Sequence, residues 1–221
     1  MAEISLPSQM GYDRAIVVFS PEGRIYQVEY AAQAVKLGKT SVGIVFKNGV
    51  VLAAYSPIDN LQLPSKSSKV SKIDEHLAAV DCGLTADARI LKDFLRVQAQ
   101  IYKLTYGEPI DVFLLAKKLA DRMQLYTQYA GARPFGVSIL LGGIDKKPIL
   151  YAINPSGTLD RWKANALGRG EKEARQYLEK NYKDGMSKEE AKKLAIEAIE
   201  NGEKKIGKFD KKALEIYVIK K

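Results

Sequence analysis

Few side chains in this chain could make or break bonds. There is one histidine, His76, and one cysteine, Cys82. A structural zinc ion takes four Cys or His ligands, so this pair cannot close such a site and no metal is expected. Nor can the two act as a dyad. If Glu75 to Cys82 runs as a strand, they lie about 20 Å apart along it, at about 3.3 Å per residue. A Ser-His-Asp triad would have to pass entirely through His76, which follows Asp74 and Glu75 and reads as a surface or strand-end residue. Cys82 has no partner for an internal disulfide, which points to a reducing, cytosolic setting. No common catalytic arrangement is spelled out by residue type and spacing, and no cofactor is expected.

Charge narrows the partners. Lys and Arg outnumber Asp and Glu by 35 to 26, a net charge of +9. From Arg161 onward 17 basic residues face 11 acidic ones, so most of the excess sits in the last 61 residues. There the signs are mixed, as in Lys188-Glu189-Glu190-Ala191-Lys192-Lys193, which reads as a solvated helix face laced with i,i+4 pairs. A nucleic-acid groove would interleave aromatics with arginine, and the sole tryptophan, Trp162, lies in no such cluster, so no nucleic acid is expected. No membrane is expected either. The longest nearly apolar stretch, Phe135 to Ile144, is about half of what a bilayer needs, and Met1 to Ser5 has no basic region leading into an apolar run. With 221 residues, 46% of them apolar, the composition fits one globular domain with a sizeable core.

The elements follow from periodicity and punctuation. Ser20-Pro21-Glu22-Gly23 predicts a tight turn, with proline presetting its second position. Ile25, Val28, Ala32 and Val35 then recur at helical spacing until Gly38. Ser41 to Phe46 and Val50 to Ala54 form strands joined at Lys47-Asn48-Gly49, where Asn and Gly tolerate positive φ. A polar stretch, Ser56 to Ser68, leads to strands near Lys69 to Ile73 and Leu77 to Cys82. Two long helices follow. The first is capped by Thr85 and broadly buried along Ile90, Phe94, Val97, Ile101 and Leu104, widened by Leu91 and Leu95; the second spans Ile110 to Tyr129. Strands at Val137 to Ile144, Ile149 to Ile153 and Leu159 to Leu167 come next. Two further helices follow, the latter opened by the capping box Ser187-x-x-Glu190, and a last strand runs Ala213 to Ile219. Hairpin-joined strands interrupted by helix pairs suggest antiparallel sheets, and Val137 to Leu141, apolar on both faces, needs cover on both sides. A layered helix-sheet-sheet-helix sandwich satisfies every element.

The run Tyr12-Asp13-Arg14-Ala15-Ile16-Val17-Val18-Phe19-Ser20-Pro21-Glu22-Gly23-Arg24-Ile25-Tyr26-Gln27-Val28-Glu29-Tyr30-Ala31 resembles the N-terminal signature of proteasome α subunits. Gly83 to Arg89, Tyr126 to Tyr129, Arg133 to Ser138, and Asn154 to Gly157 followed by Lys163-Ala164 match in the same order, so the resemblance spans roughly Gly11 to Tyr182 and is most like the archaeal homomeric form. It implies an α+β fold of the N-terminal nucleophile hydrolase type, a four-layer αββα sandwich with two antiparallel sheets between helix pairs. It further implies one domain over 1–221: a flexible gate arm at 1–11, the signature turn and helix at 12–38, and the core at 40–221. The family's α subunits form seven-membered rings on catalytic β subunits in the cytoplasm, gate the axial pore with their N-terminal arms, and accept the C-terminal tails of activating ATPases. Unfolded protein substrates pass through on their way to degradation.

The same resemblance assigns residues. Threonine catalysis in this fold needs the hydroxyl at the chain's own N-terminus with the free amine as base. Here Lys39 stands at the nucleophile position, Thr40 comes one residue late, and Tyr55 replaces the acidic residue of the second strand. A non-catalytic subunit is therefore expected. The alternative is a β-type peptidase that matures by cleavage before Thr40, and a basic nucleic-acid module is a third reading. Tyr12, Asp13, Pro21 and Tyr30 match the cluster that holds the arm open. Lys69, Gly83 and Leu84 match one wall of the activator pocket, with Lys66 and Lys72 as competing lysines, and Gly23 and Arg24 of a neighbouring subunit match the other. An ammonium suits a terminal carboxylate, and glycine leaves backbone N–H groups within reach.

Overall fold

The computed structural model describes residues 17–59, 61–63, 68–207 and 209–220. A Pro21-containing turn leads into α1 (Tyr26–Leu37), and Gly38 ends it. The hairpin β1 (Ser41–Phe46) and β2 (Gly49–Tyr55) follows, then β3 (Val70–Asp74) and β4 (Leu77–Gly83). The helix pair α2 (Thr85–Tyr106) and α3 (Val112–Gln128) precedes β5 (Val137–Ile144), β6 (Pro148–Ile153), β7 (Leu159–Trp162) and β8 (Ala164–Leu167). A second helix pair, α4 (Glu171–Asn181) and α5 (Lys188–Lys204), and the last strand β9 (Leu214–Lys220) complete the order.

The strands form two antiparallel sheets, β8-β1-β2-β9 and β3-β4-β5-β6-β7. Val50, Leu52, Ala78, Val80, Leu140 and Leu150 fill the space between the sheets. Helices α2 and α3 cover the outer face of the five-stranded sheet, and α4 and α5 cover that of the other. The four layers are therefore α-β-β-α, the expected sandwich. β5 shows why the stacking is needed: from Val137 to Gly143 every residue is buried, so each face of the strand has a layer against it. The capping box at Ser187 and Glu190 forms in both directions, and α5 buries Ala191, Leu194, Ala195, Ala198 and Ile199 as its spacing predicts.

Four local expectations are corrected. The β1–β2 turn is Lys47-Asn48 alone, with Gly49 already paired to Phe46, and among the described residues none but glycine has positive φ. Gly49 is required by close approach instead, since a Cβ there would lie 2.0 Å from the Ile219 carbonyl oxygen. Leu159 to Leu167 is not one strand. Trp162 pairs with Leu150 in one sheet and Ala164 with Ile44 in the other, so the chain changes layer at Lys163. Thr85 is the first helical residue of α2, behind Leu84, with no side-chain cap. Lastly, α2 buries Ala88, Leu91, Leu95 and Ala99, while Ile90, Val97, Ile101 and Leu104 are 49%, 53%, 51% and 86% exposed. The helix turns the Ala88, Leu91, Leu95 and Ala99 row inward, and of the other row Phe94 alone packs against the core. Among the described residues no helix is long and apolar enough to cross a membrane.

Candidate functional site

Of the residues singled out from the sequence, Lys39, Thr40, Lys69 and Gly83 meet around the junction between α1 and β1. Gly38 lets the chain pass tightly under β4, because a Cβ on it would sit 2.7 Å from Cys82 Sγ and 2.8 Å from the Gly83 nitrogen. The Lys39 carbonyl that follows accepts from the Lys69 ammonium at 2.7 Å and from Cys82 Sγ at 3.2 Å. Burial pushes the Cys82 thiol up to about 11, so it remains a protonated thiol and has no nucleophile's character.

Thr40 has no exposed surface. Its backbone N–H and its hydroxyl both donate to Glu203 Oε1, at 2.9 and 2.6 Å, and its hydroxyl oxygen accepts the Gly170 N–H at 3.2 Å. Arg169 reaches the same carboxylate, with Nε 3.0 Å from Oε2 and Nη2 paired to it as well. Burial works to raise the Glu203 pKa, but the hydrogen bonds from Arg169 and Thr40 outweigh it and hold the carboxyl below its ordinary value. This set has the residue types of a nucleophile and a base, yet the hydroxyl is spent on structure and no substrate carbonyl can reach it. The threonine nitrogen is a peptide nitrogen, preceded in the chain by the whole of α1. Tyr55, at the end of β2, is buried against Phe209 with ring centroids 5.3 Å apart and supplies no carboxylate.

Lys69, Gly83 and Leu84 come together at the end of β4. The Asp81 N–H donates to the Lys69 carbonyl at 3.3 Å, and the Lys69 side chain crosses to Lys39. Gly83 has φ +127, and a Cβ there would strike the Gly136 carbonyl oxygen at 2.2 Å, so only glycine fits. Leu84 donates its N–H to that carbonyl at 2.9 Å and leaves its side chain exposed. Of the competing lysines, Lys72, in the middle of β3, is ion-paired to Glu75 at 2.6 Å, and Lys66 lies outside the described residues.

The turn before α1 carries the other set. Gly23, at φ +75, donates to the Ser20 carbonyl at 2.8 Å, and Ser20 donates to the Arg24 carbonyl at 2.9 Å, which closes the turn around Pro21. The Arg24 guanidinium forks onto Glu29, with Nε at 2.8 Å, and lies 4.8 Å from the Tyr26 ring centre. Tyr30 is exposed and stacks on Tyr26 with centroids 6.4 Å apart. Pro21, Arg24 and Tyr30 thus share one exposed end of α1, whereas Tyr12 and Asp13 lie outside the described residues. Arg24 is bonded to Glu29 and Lys69 to the Lys39 carbonyl.

Polar partnerships between distant positions escaped sequence reasoning. Glu203 stands 163 positions from Thr40. Asp87, in the first turn of α2, accepts from both Arg133 Nη atoms at 2.7 and 2.9 Å and from the Gly136 N–H at 2.9 Å. The Arg133 hydrogen bonds hold its carboxyl below the ordinary range. The signal available was that Asp87 and Arg133 both fall in the segments that carry the resemblance.

Residues 12–34 match the family model of the N-terminal signature of A-type proteasome subunits, and residues 35–219 match that of the proteasome subunit. The chain belongs to the proteasome subunit family. It is similar to the proteasome alpha subunit of Thermococcus sibiricus, 49% identical over 195 residues, which cover 88% of this chain and 75% of that one. The proteasome alpha subunit of Archaeoglobus fulgidus is 51% identical over 192 residues, 86% of this chain and 78% of its own. The signature places the chain with the α type of proteasome subunit. Within α1 the two matches meet: the signature ends at Ala34, and the match to the proteasome subunit core begins at Val35, just ahead of the Gly38–Thr40 junction.

Proposed function

We propose that this chain is a non-catalytic gating subunit of a 20S-type proteasome core in the cytoplasm. Other α subunits complete its seven-membered ring, β subunits beneath it carry the peptidase, and the arm at 1–11 gates the pore against unfolded substrates. Tyr12, Asp13, Pro21 and Tyr30 hold the arm open. Lys69, Gly83 and Leu84, facing Gly23 and Arg24 of the next subunit, receive the C-terminal tails of ATPase activators for ATP-dependent and ubiquitin-like-dependent degradation. The observation that carries the non-catalytic reading is Thr40, fully buried with its hydroxyl and its amide nitrogen both bonded to Glu203. The rival reading, a peptidase maturing before Thr40, would have to break those bonds and strip off α1, whose Val35 is part of the core. The gate is supported by the closed turn around Pro21 and by the exposure of Tyr30 beside it. Deleting residues 1–11 is expected to speed peptide hydrolysis by cores assembled with a β subunit. Hydrolysis at the full-length rate would refute gating by this arm.

A further inference from the structure

A buried ion pair bonds to the backbone just before Lys69. Lys92 on α2 and Asp81 on β4 meet at 2.7 Å, with side chains only 7% and 3% exposed. Burying two charges is costly, and an apolar pair of similar volume would hold α2 to the sheet about as well. What an apolar pair could not do is donate a hydrogen bond onward. The Lys92 ammonium also donates to the Ser68 carbonyl at 2.8 Å. Ser68 is gripped from the opposite side as well: its hydroxyl bonds Glu215 of β9, and the same carboxylate accepts the Val70 N–H at 3.1 Å. The Lys69 carbonyl between them takes the Asp81 N–H. The three residues that launch β3 are therefore fixed by α2, by β4 and by the other sheet.

We propose that Lys92, with Asp81 as its counter-charge, is a positioning residue for carboxylate docking at Lys69. The inference rests on the reading of Lys69 as the group that meets the activator's terminal carboxylate. Lys92 touches no ligand itself. It holds the Ser68 carbonyl, and so sets where the next side chain leaves the backbone to put its ammonium on the Lys39 carbonyl. A charge-assisted hydrogen bond tolerates little misplacement, so a Ser68–Lys69 backbone freed on one side presents a poorer partner to a carboxylate.

The test uses whole core particles assembled with a β subunit, titrated with the activating ATPase of the same cell. The variant is the pair Asp81→Leu with Lys92→Met, which removes both charges together and leaves neither stranded. The concentration of ATPase giving half-maximal stimulation is expected to rise about tenfold, the scale of one charge-assisted hydrogen bond. The stimulated plateau and the melting temperature should stay at wild-type values, a split that a merely structural role would not produce. If the pair does not assemble, Asp81→Asn with Lys92→Met is read in its place. Lys69→Ala is titrated in parallel. Weakened stimulation by Lys69→Ala beside an unchanged half-maximal concentration in the double variant would overturn the positioning role alone. Ordinary stimulation by Lys69→Ala would overturn the Lys69 docking assignment, and this inference with it. A lowered plateau at unchanged half-maximal concentration would place the pair in gating and also overturn it.

Discussion

At the scale of single residues the Thr40–Glu203–Arg169 cluster sets the chemistry by using it up. The Glu203 side chain is fully buried, and its two oxygens accept from the Thr40 amide and hydroxyl and from Arg169. Glu203→Ala is expected to cost about 3 kcal/mol, a melting temperature lower by roughly 6–12 °C, because it leaves an inward-facing guanidinium and a buried threonine without their acceptor. Folding holds this carboxyl below its ordinary value of 4.5, so its contribution is complete above about pH 4.5 and is lost as pH falls through the lower folded value. Asp87, lowered from 3.8 by Arg133, adds a second contribution of the same sign that fades further into acid. Urea midpoints taken from pH 7 to pH 3 should therefore fall less steeply for Glu203→Ala than for the wild type; parallel curves would show that the carboxylate is not held low. Thr40 was legible in the sequence and its partner was not, because hydrogen bonding across 163 positions leaves no mark on local spacing.

At the scale of elements α2 is the informative one. Two apolar rows compete for the sheet, and the one that wins carries Ala88, Leu91, Leu95 and Ala99. The small residues let the helix approach closely, and Lys92 within the same face reaches down to Asp81. Of the losing row, Ile90, Val97, Ile101 and Leu104 are left as an exposed apolar strip, the kind of surface that marks a protein partner. Substituting Val97→Glu together with Ile101→Glu should change the isolated chain's stability by less than about 1 kcal/mol, since both positions are half exposed. The same pair should block assembly with other proteasome subunits, read as loss of the high-mass peak on gel filtration with a β subunit. Normal assembly would exclude this strip from the interface. From the sequence both rows read as one broadly buried face, because periodicity reports apolar positions without saying whether sheet or neighbour covers each.

At the scale of the whole molecule the outer layers and the two sheets account for one subunit, and the exposed features account for the need of others. Leu37 and Leu84 are exposed along with Tyr30, all close in sequence to the Gly38–Thr40 junction or to Gly83. Native mass spectrometry of the purified chain should show full-length polypeptides in rings of seven, roughly 170 kDa or twice that. A species lacking its first 39 residues would overturn the non-catalytic reading, whereas a full-length monomer would mean that rings require β subunits.

By itself the sequence determined the layer count, the two helix pairs and most strand positions. Those follow from local causes: a capping box at Ser187, glycine at position 38, and a strand from Val137 that is apolar on both faces and so demands two layers. It also carried the twenty-residue signature that led to the family. Only the tertiary structure decided which row of α2 turns inward, where the chain changes sheets at Lys163, why Gly49 must be glycine, and which acceptors bind Thr40 and Lys92. The division has one physical reason. Backbone preference and hydrophobic period act over a few residues and are written in order along the chain, while a buried hydrogen bond or a close backbone approach depends on segments that only packing brings side by side.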